Sequence, residues 1–184
     1  LGSHRQTAHA HDANTLSQLH VLSEAGVVLL ELNTCLYVEK DTADESRGQI
    51  DHDAISALRR ELDSINQTEL DGYVKIVLMH HHPVLLPMFL EADRNYDAVV
   101  NGNSLLRFLR DYGFHLILHG HKHFPQVFTY DPSQAWTDTT KPSQLIVAGG
   151  SCGSDSLPSG TEACPTYNII CVKWHQAAQQ ARIE

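Results

Sequence analysis

The chain has 184 residues, with 13 Lys and Arg against 22 Asp and Glu and a net charge of −9. That length suits one domain of roughly 100–200 residues with a core of its own, and a 42% hydrophobic content excludes a disordered chain. The acidic balance argues against a nucleic-acid binder that works through a broad basic face, but leaves phosphate-bearing substrates open because bound cations invert the local field.

The four cysteines, Cys35, Cys152, Cys164 and Cys171, form no C-x-x-C pair, so a structural zinc knuckle is not expected. A disulfide between some of them stays open, but their spread reads more simply as reduced thiols in a cytoplasmic protein. No stretch approaches the roughly 18 apolar residues of a membrane span. The start lacks the apolar region of a signal peptide, so neither membrane insertion nor secretion is expected.

The predicted elements follow in chain order. Apolar runs at 19–22 and 27–32, joined by Ser23-Glu24-Ala25-Gly26, predict a β-hairpin. Residues 51–65 carry Ile55, Leu58, Leu62 and Ile65 at helical spacing, with Asp51 as N-cap. Gly72 marks the turn into a strand at 74–79. Residues 83–101 form a long loop, a length that is often functional inside a compact domain. A helix is predicted at 104–112, with Gly113 as its left-handed terminus. Strands follow at 114–118, 126–130, 144–148 and 167–174. This alternation predicts an α/β layered domain with a mixed sheet.

Two histidine clusters carry the functional signal. His80, His81 and His82 follow one apolar run, and His119, His121 and His123 end another. Short apolar runs of this kind read as buried strands. Open α/β sheets bind ligands at the carboxyl ends of their strands, so two such strands deliver several imidazoles to one rim. Neutral imidazole is the commonest protein metal ligand. His121 and His123, at i and i+2, share a face if the segment is extended, and Gly120 suits a tight turn or a close backbone approach.

The stretch "LHGHKH" resembles the Gly-His-x-His block of the calcineurin-like metallophosphoesterases, and "KIVLMHHHPV" resembles their preceding strand-His block. Three further stretches, "VVLLELNT", "GQIDHDAISALRRELD" and "LIVAGGSCG", resemble family segments in the family's order. The branch most resembled is the cyclic-nucleotide phosphodiesterase-like one. The resemblance implies a layered β-sandwich flanked by helices. It also implies two divalent transition metal ions (Mn, Fe or Zn) that hold a bridging hydroxide for attack on a phosphomonoester or phosphodiester. His80 or His81, the register being ambiguous by one, is implied as a ligand of the second metal, together with His121. His123 is implied as a ligand of the first metal. His82, His119 and Arg94 are the expected phosphate-pocket residues. No catalytic acid, base or nucleophile is assigned.

The family's Asp-x-His, Gly-Asp-x-x-Asp and Gly-Asn-His blocks are absent. The expectation is therefore that residues 1–184 form a single, incomplete domain that lacks the N-terminal part. Such a chain is expected to be inactive alone, and to self-associate or pair with a complementary N-terminal half. The rival reading is a non-catalytic half-domain acting as a metal-binding or protein-interaction module.

Overall fold

In the computed structural model, residues 17–38, 47–85, 97–131, 143–153, 165–175 and 180–183 are described. Strands β1 (Gln18–Leu22) and β2 (Val27–Leu32) form the expected hairpin. Gly26 turns the chain between them at φ +62°. Helix α1 (His52–Ser64) leads to β3 (Val74–Met79), and α2 (Gly102–Asp111) leads to β4 (Leu116–His119). Strands β5 (Gln126–Tyr130) and β6 (Gln144–Ala148) complete a six-stranded sheet in the order β1-β2-β3-β4-β6-β5. Its four central strands are parallel and its two edges, β1 and β5, are antiparallel. A separate two-stranded ribbon pairs β7 (Val172–His175) with β8 (Gln180–Ile183).

The alternation of side chains along the strands divides the core in two. Val28, Leu30, Val77, Ile117 and Ile146 pack against Leu58 and Leu62 of α1 and Leu105, Leu106 and Leu109 of α2. Both helices thus cover the same face. On the other face Val27, Val74, Ile76, Leu116 and Val147 meet Ile170, Val172 and Ile183 from the C-terminal segment. The molecule is a layered α/β structure, helices on sheet on ribbon, as the sequence predicts.

Three local expectations are corrected. Asp51 does occupy the N-cap position of α1, but its side chain caps no helix N–H. The strand expected at 114–118 is shifted to Leu116–His119, because Gly113 and Phe114 close α2. Gly113 (φ +78°) donates to the Arg110 carbonyl and Phe114 to the Leu109 carbonyl, the paired bonds of a Schellman motif. The strand expected at 167–174 begins only at Val172. Before it, Thr166 N–H donates to the Ser151 carbonyl and Asn168 Nδ2 to the Ala148 carbonyl, so this stretch is tied to the end of β6 and lies outside the sheet ladder.

Lys75 shows how the helix layer is fixed to the sheet. Its half-buried ammonium donates to the Tyr112 carbonyl at 2.9 Å, at the negative end of α2. Burial lowers its pKa. Tyr112 in turn donates to Asp63 at 2.5 Å, joining α2 to α1.

Ile117 is fully buried in a central strand with neighbours on both sides. Ile117→Ala is expected to cost about 2–5 kcal/mol. Val127 is 61% exposed on the edge strand β5, and Val127→Ala is expected to stay within about 0.5 kcal/mol. Urea denaturation of the two variants checks the contrast.

Candidate metal centre

Parallel pairing sets β2, β3, β4 and β6 to end level. Leu32 is opposite Met79, Met79 opposite His119, and His119 opposite Ala148. The residues that follow, 33–35, 80–82, 120–123 and 149–152, therefore leave the sheet along one rim. This is the carboxyl edge where open α/β sheets place their ligands.

Six histidines converge there. The His80 and His81 rings lie 4.8 Å apart, edge to face, and the His121 ring is 5.0 Å from His80 and 4.5 Å from His81. His121 Nδ1 and His80 Nε2 are 3.1 Å apart. His82 sits beneath them, fully buried, with its ring 6.0 Å from His119 and 6.1 Å from His121. His123 is partly exposed and near enough to His80 and His121 for its charge to lower their pKa values. Arg94 lies outside the described residues.

The backbone of the second cluster differs from the expected extended segment. His121 and His123 both adopt left-handed conformations, at φ +73° and +55°. Histidine enters this region more readily than most residues, yet each instance stores about 1–3 kcal/mol. The two rings are brought to the rim by this turn, closed by Lys122 N–H on the Gly120 carbonyl at 3.0 Å, and by no strand periodicity. Gly120 opens this turn, and a tight turn is one of the two roles expected of it. Its φ is not left-handed, and a Cβ there would meet nothing closer than the His80 carbonyl at 4.0 Å. The glycine that does provide clearance is Gly48, where a Cβ would come within 2.5 Å of the His81 ring.

Thr34 orients the first cluster. Its hydroxyl lies 2.8 Å from His81 Nδ1 and accepts from the His81 backbone N–H at 3.2 Å. With Nδ1 engaged, Nε2 is the His81 nitrogen left for a ligand. Outer-shell partners of this kind fix the tautomer of ligating imidazoles. His119 directs Nδ1 to the Gly120 carbonyl at 3.2 Å, and its Nε2 has no hydrogen-bond partner among the described residues. Behind the rim, His119, Gly150, Thr166 and Asn168 line a cavity of about 290 Å³. Lys122 pairs with Asp97 beside the cluster.

Electrostatics keep these rings neutral. Burial, then the charges of His121 and His80, lowers His81 to about 4 against a partial offset from Asp97. Burial, then His119, Lys122 and His121, lowers His82 to about 3. Burial, then His80 and Lys122, lowers His121 to about 4. His80 and His119 are also lowered, chiefly by burial. At pH 7 the cluster therefore presents lone pairs, the state a metal ion requires.

Among the described residues, one group of three ligand atoms comes close enough to share an ion: Cys35, His80 and His81, all within 4.8 Å of one another. No carboxylate belongs to it. Cys35 and Thr34 carry no sequence signal as site residues; they reach the rim because β2 runs parallel to β3.

No protein-family model matches the sequence, and no curated protein matches it. Among solved structures, the chain is similar to a purple acid phosphatase from yellow lupin (Lupinus luteus) seeds, with a TM-score of 0.50 and 14% identity over 83% of this chain. It is also similar to a protein described as a 5'-nucleotidase from Staphylococcus aureus, with a TM-score of 0.48 and 12% identity over 91% of this chain. The chain spans 25% and 28% of the lengths of those two proteins. At this level of identity the likeness is one of fold: the chain shares the layered fold of the lupin phosphatase over most of its own length.

Two expectations follow from the site itself. His81, His82 and His121 are neutral in the folded protein down to about pH 4 or below, whereas in the unfolded chain they protonate near 6.5. Between those values the unfolded state holds more protons, so stability rises with pH and is lost on acidification. In chelator, the melting temperature is expected to fall between pH 7 and pH 5. Because His80 and His119 are lowered too, unfolding near pH 5 should take up at least about three protons, readable by calorimetry in buffers of different ionisation enthalpy. Thr34→Val leaves the His81 backbone N–H and ring Nδ1 without their buried partner and is expected to cost about 1–3 kcal/mol in urea denaturation.

Proposed function

We propose that this chain carries the imidazole half of a metal centre for the hydrolysis of phosphate esters. The observation that supports this most is the convergence of histidines from two adjacent parallel strands at the carboxyl rim of a metallophosphoesterase-type fold. His80, His81, His121 and His123 are the proposed ligands. Both members of the ambiguous pair suit the role. His81 has an outer-shell partner in Thr34, and His80 Nε2 lies against His121 Nδ1.

The donor set fits a borderline transition ion. Imidazoles held neutral suit Zn or Fe, whereas Mn favours the carboxylates that this group lacks. A bound divalent cation supplies Lewis acidity, lowering the pKa of water and stabilising charge on the phosphate oxygens. A second ion needs further ligands, which the family resemblance assigns to blocks this sequence does not contain. The chain's own residues orient ligands and shape the pocket: Thr34 fixes His81, while His119, which lines the cavity behind the rim, and buried His82 are the proposed phosphate-pocket residues. Phosphate monoesters and diesters are both within this reading. A cytoplasmic setting accords with three free thiols, Cys35, Cys152 and Cys171. Among the described residues no helix is long and apolar enough to cross a membrane. Self-association through the edges of β1 and β5, unpaired among the described residues, belongs to the same reading.

Calorimetry at neutral pH is expected to detect Zn binding by the 184-residue chain, weakened in His121→Ala; absence of Zn binding contradicts the metal centre. Hydrolysis of a generic aryl phosphodiester by this chain alone is expected to be negligible, because no carboxylate joins the ligand group. Robust metal-dependent turnover abolished by His123→Ala would show that the present residues suffice.

A further inference from the structure

The turn after β2 brings a thiol to the rim. Asn33 Oδ1 accepts from Cys35 N–H at 3.0 Å, and Val38 N–H donates to the Cys35 carbonyl at 3.2 Å. The Asx-type bond reverses the chain straight after the strand. Thr34 is meanwhile held by His81 on one side and, through its carbonyl, by Gln49 N–H at 3.0 Å on the other. Cys35 therefore sits on a braced turn beside the His80-His81 pair and is itself exposed.

We propose that Cys35, as a thiolate, ligates a zinc ion together with His80 and His81. The inference shares two ligands with the metal centre proposed above, and adds one that the family resemblance does not supply. Around a tetrahedral zinc with bonds of about 2.0–2.3 Å, ligand atoms lie about 3.3–3.6 Å apart. The three atoms here already lie within 4.8 Å of one another. Cys35 and His80 are exposed, so rotation of their side chains can close the remainder. The thiolate also answers the charge problem of the site. Neutral imidazoles alone leave the ion's two positive charges uncompensated, and no carboxylate is in the group. Binding removes the thiol proton to solvent, and the sulfur lone pair forms the metal bond. Three protein ligands leave one position open, the arrangement of zinc sites that also bind water or substrate. His121 Nδ1 lies 3.1 Å from His80 Nε2, beside these ligands.

Cobalt(II) titration of the 184-residue chain tests this, because a cobalt–thiolate bond adds a near-ultraviolet charge-transfer band that imidazole ligation lacks. The band is expected in the unaltered chain and in Cys152→Ser, and is expected to vanish in Cys35→Ser. Zinc is also expected to protect Cys35, but not Cys152 or Cys171, from iodoacetamide, read by peptide mass mapping. Loss of an outer-shell partner already costs about 10–100-fold in metal affinity, so Cys35→Ser should weaken zinc by at least about tenfold. Cobalt bound without the band, or a band that survives in Cys35→Ser, overturns the thiolate ligand while leaving a histidine metal centre standing. No cobalt bound at all overturns both.

Discussion

Parallel hydrogen bonding among β2, β3 and β4 forces three chain segments to leave the sheet at one level. Leu32, Met79 and His119 lie in a single row across the sheet. Whatever follows them in sequence is delivered to the same edge: Asn33-Thr34-Cys35, His80-His81-His82 and Gly120 to His123. Parallel strands require crossovers, and α1 and α2 supply them on one face. The apolar contacts of that face hold the row in register, because a slip by one residue would turn every core side chain outward. The site thus depends on the core for its alignment.

Alignment alone would leave a cluster of mutually repelling imidazolium ions. Burial prevents this by holding the rings neutral, and the bonds around them fix which nitrogen faces outward. Thr34 takes His81 Nδ1, and the Gly120 carbonyl takes His119 Nδ1. The left-handed backbone at His121 and His123 adds strain at the same place. Strain of this sort persists where the surroundings over-determine it. Here these include the parallel strands and Gly120 N–H, which donates to the His80 carbonyl at 3.1 Å and stitches the second cluster to the first.

Much of this was legible in the sequence. Continuous apolar runs identify β3 and β4, helical spacing identifies α1 and α2, and Gly113 marks the end of α2 as a left-handed cap. The histidines that cluster are those at the two strand ends. What the sequence does not carry is contact between segments distant in the chain. Thr34 and His81 are 47 residues apart, and their bond follows from strand register, not from any local pattern. The same holds for Cys35, which reads as one reduced thiol among four. The first residues of the strand expected at 167–174 look like a strand because Tyr167 and Ile169 alternate with Asn168, yet both are 75% exposed, and Asn168 Nδ2 donates instead to the carbonyl of Ala148 at the end of β6. The sequence reading also had no signal for β8, which exists only by pairing with β7.

The central claim is that a transition ion binds at this rim, on imidazoles brought together by strand register. Crystals grown with zinc, measured on both sides of the zinc absorption edge, test it most directly. The account predicts an anomalous peak within bonding distance of His80 and His81, at the carboxyl end of β3 and beside the turn that follows β2. A zinc-saturated crystal with no peak at that rim, or with the ion held elsewhere, would contradict it.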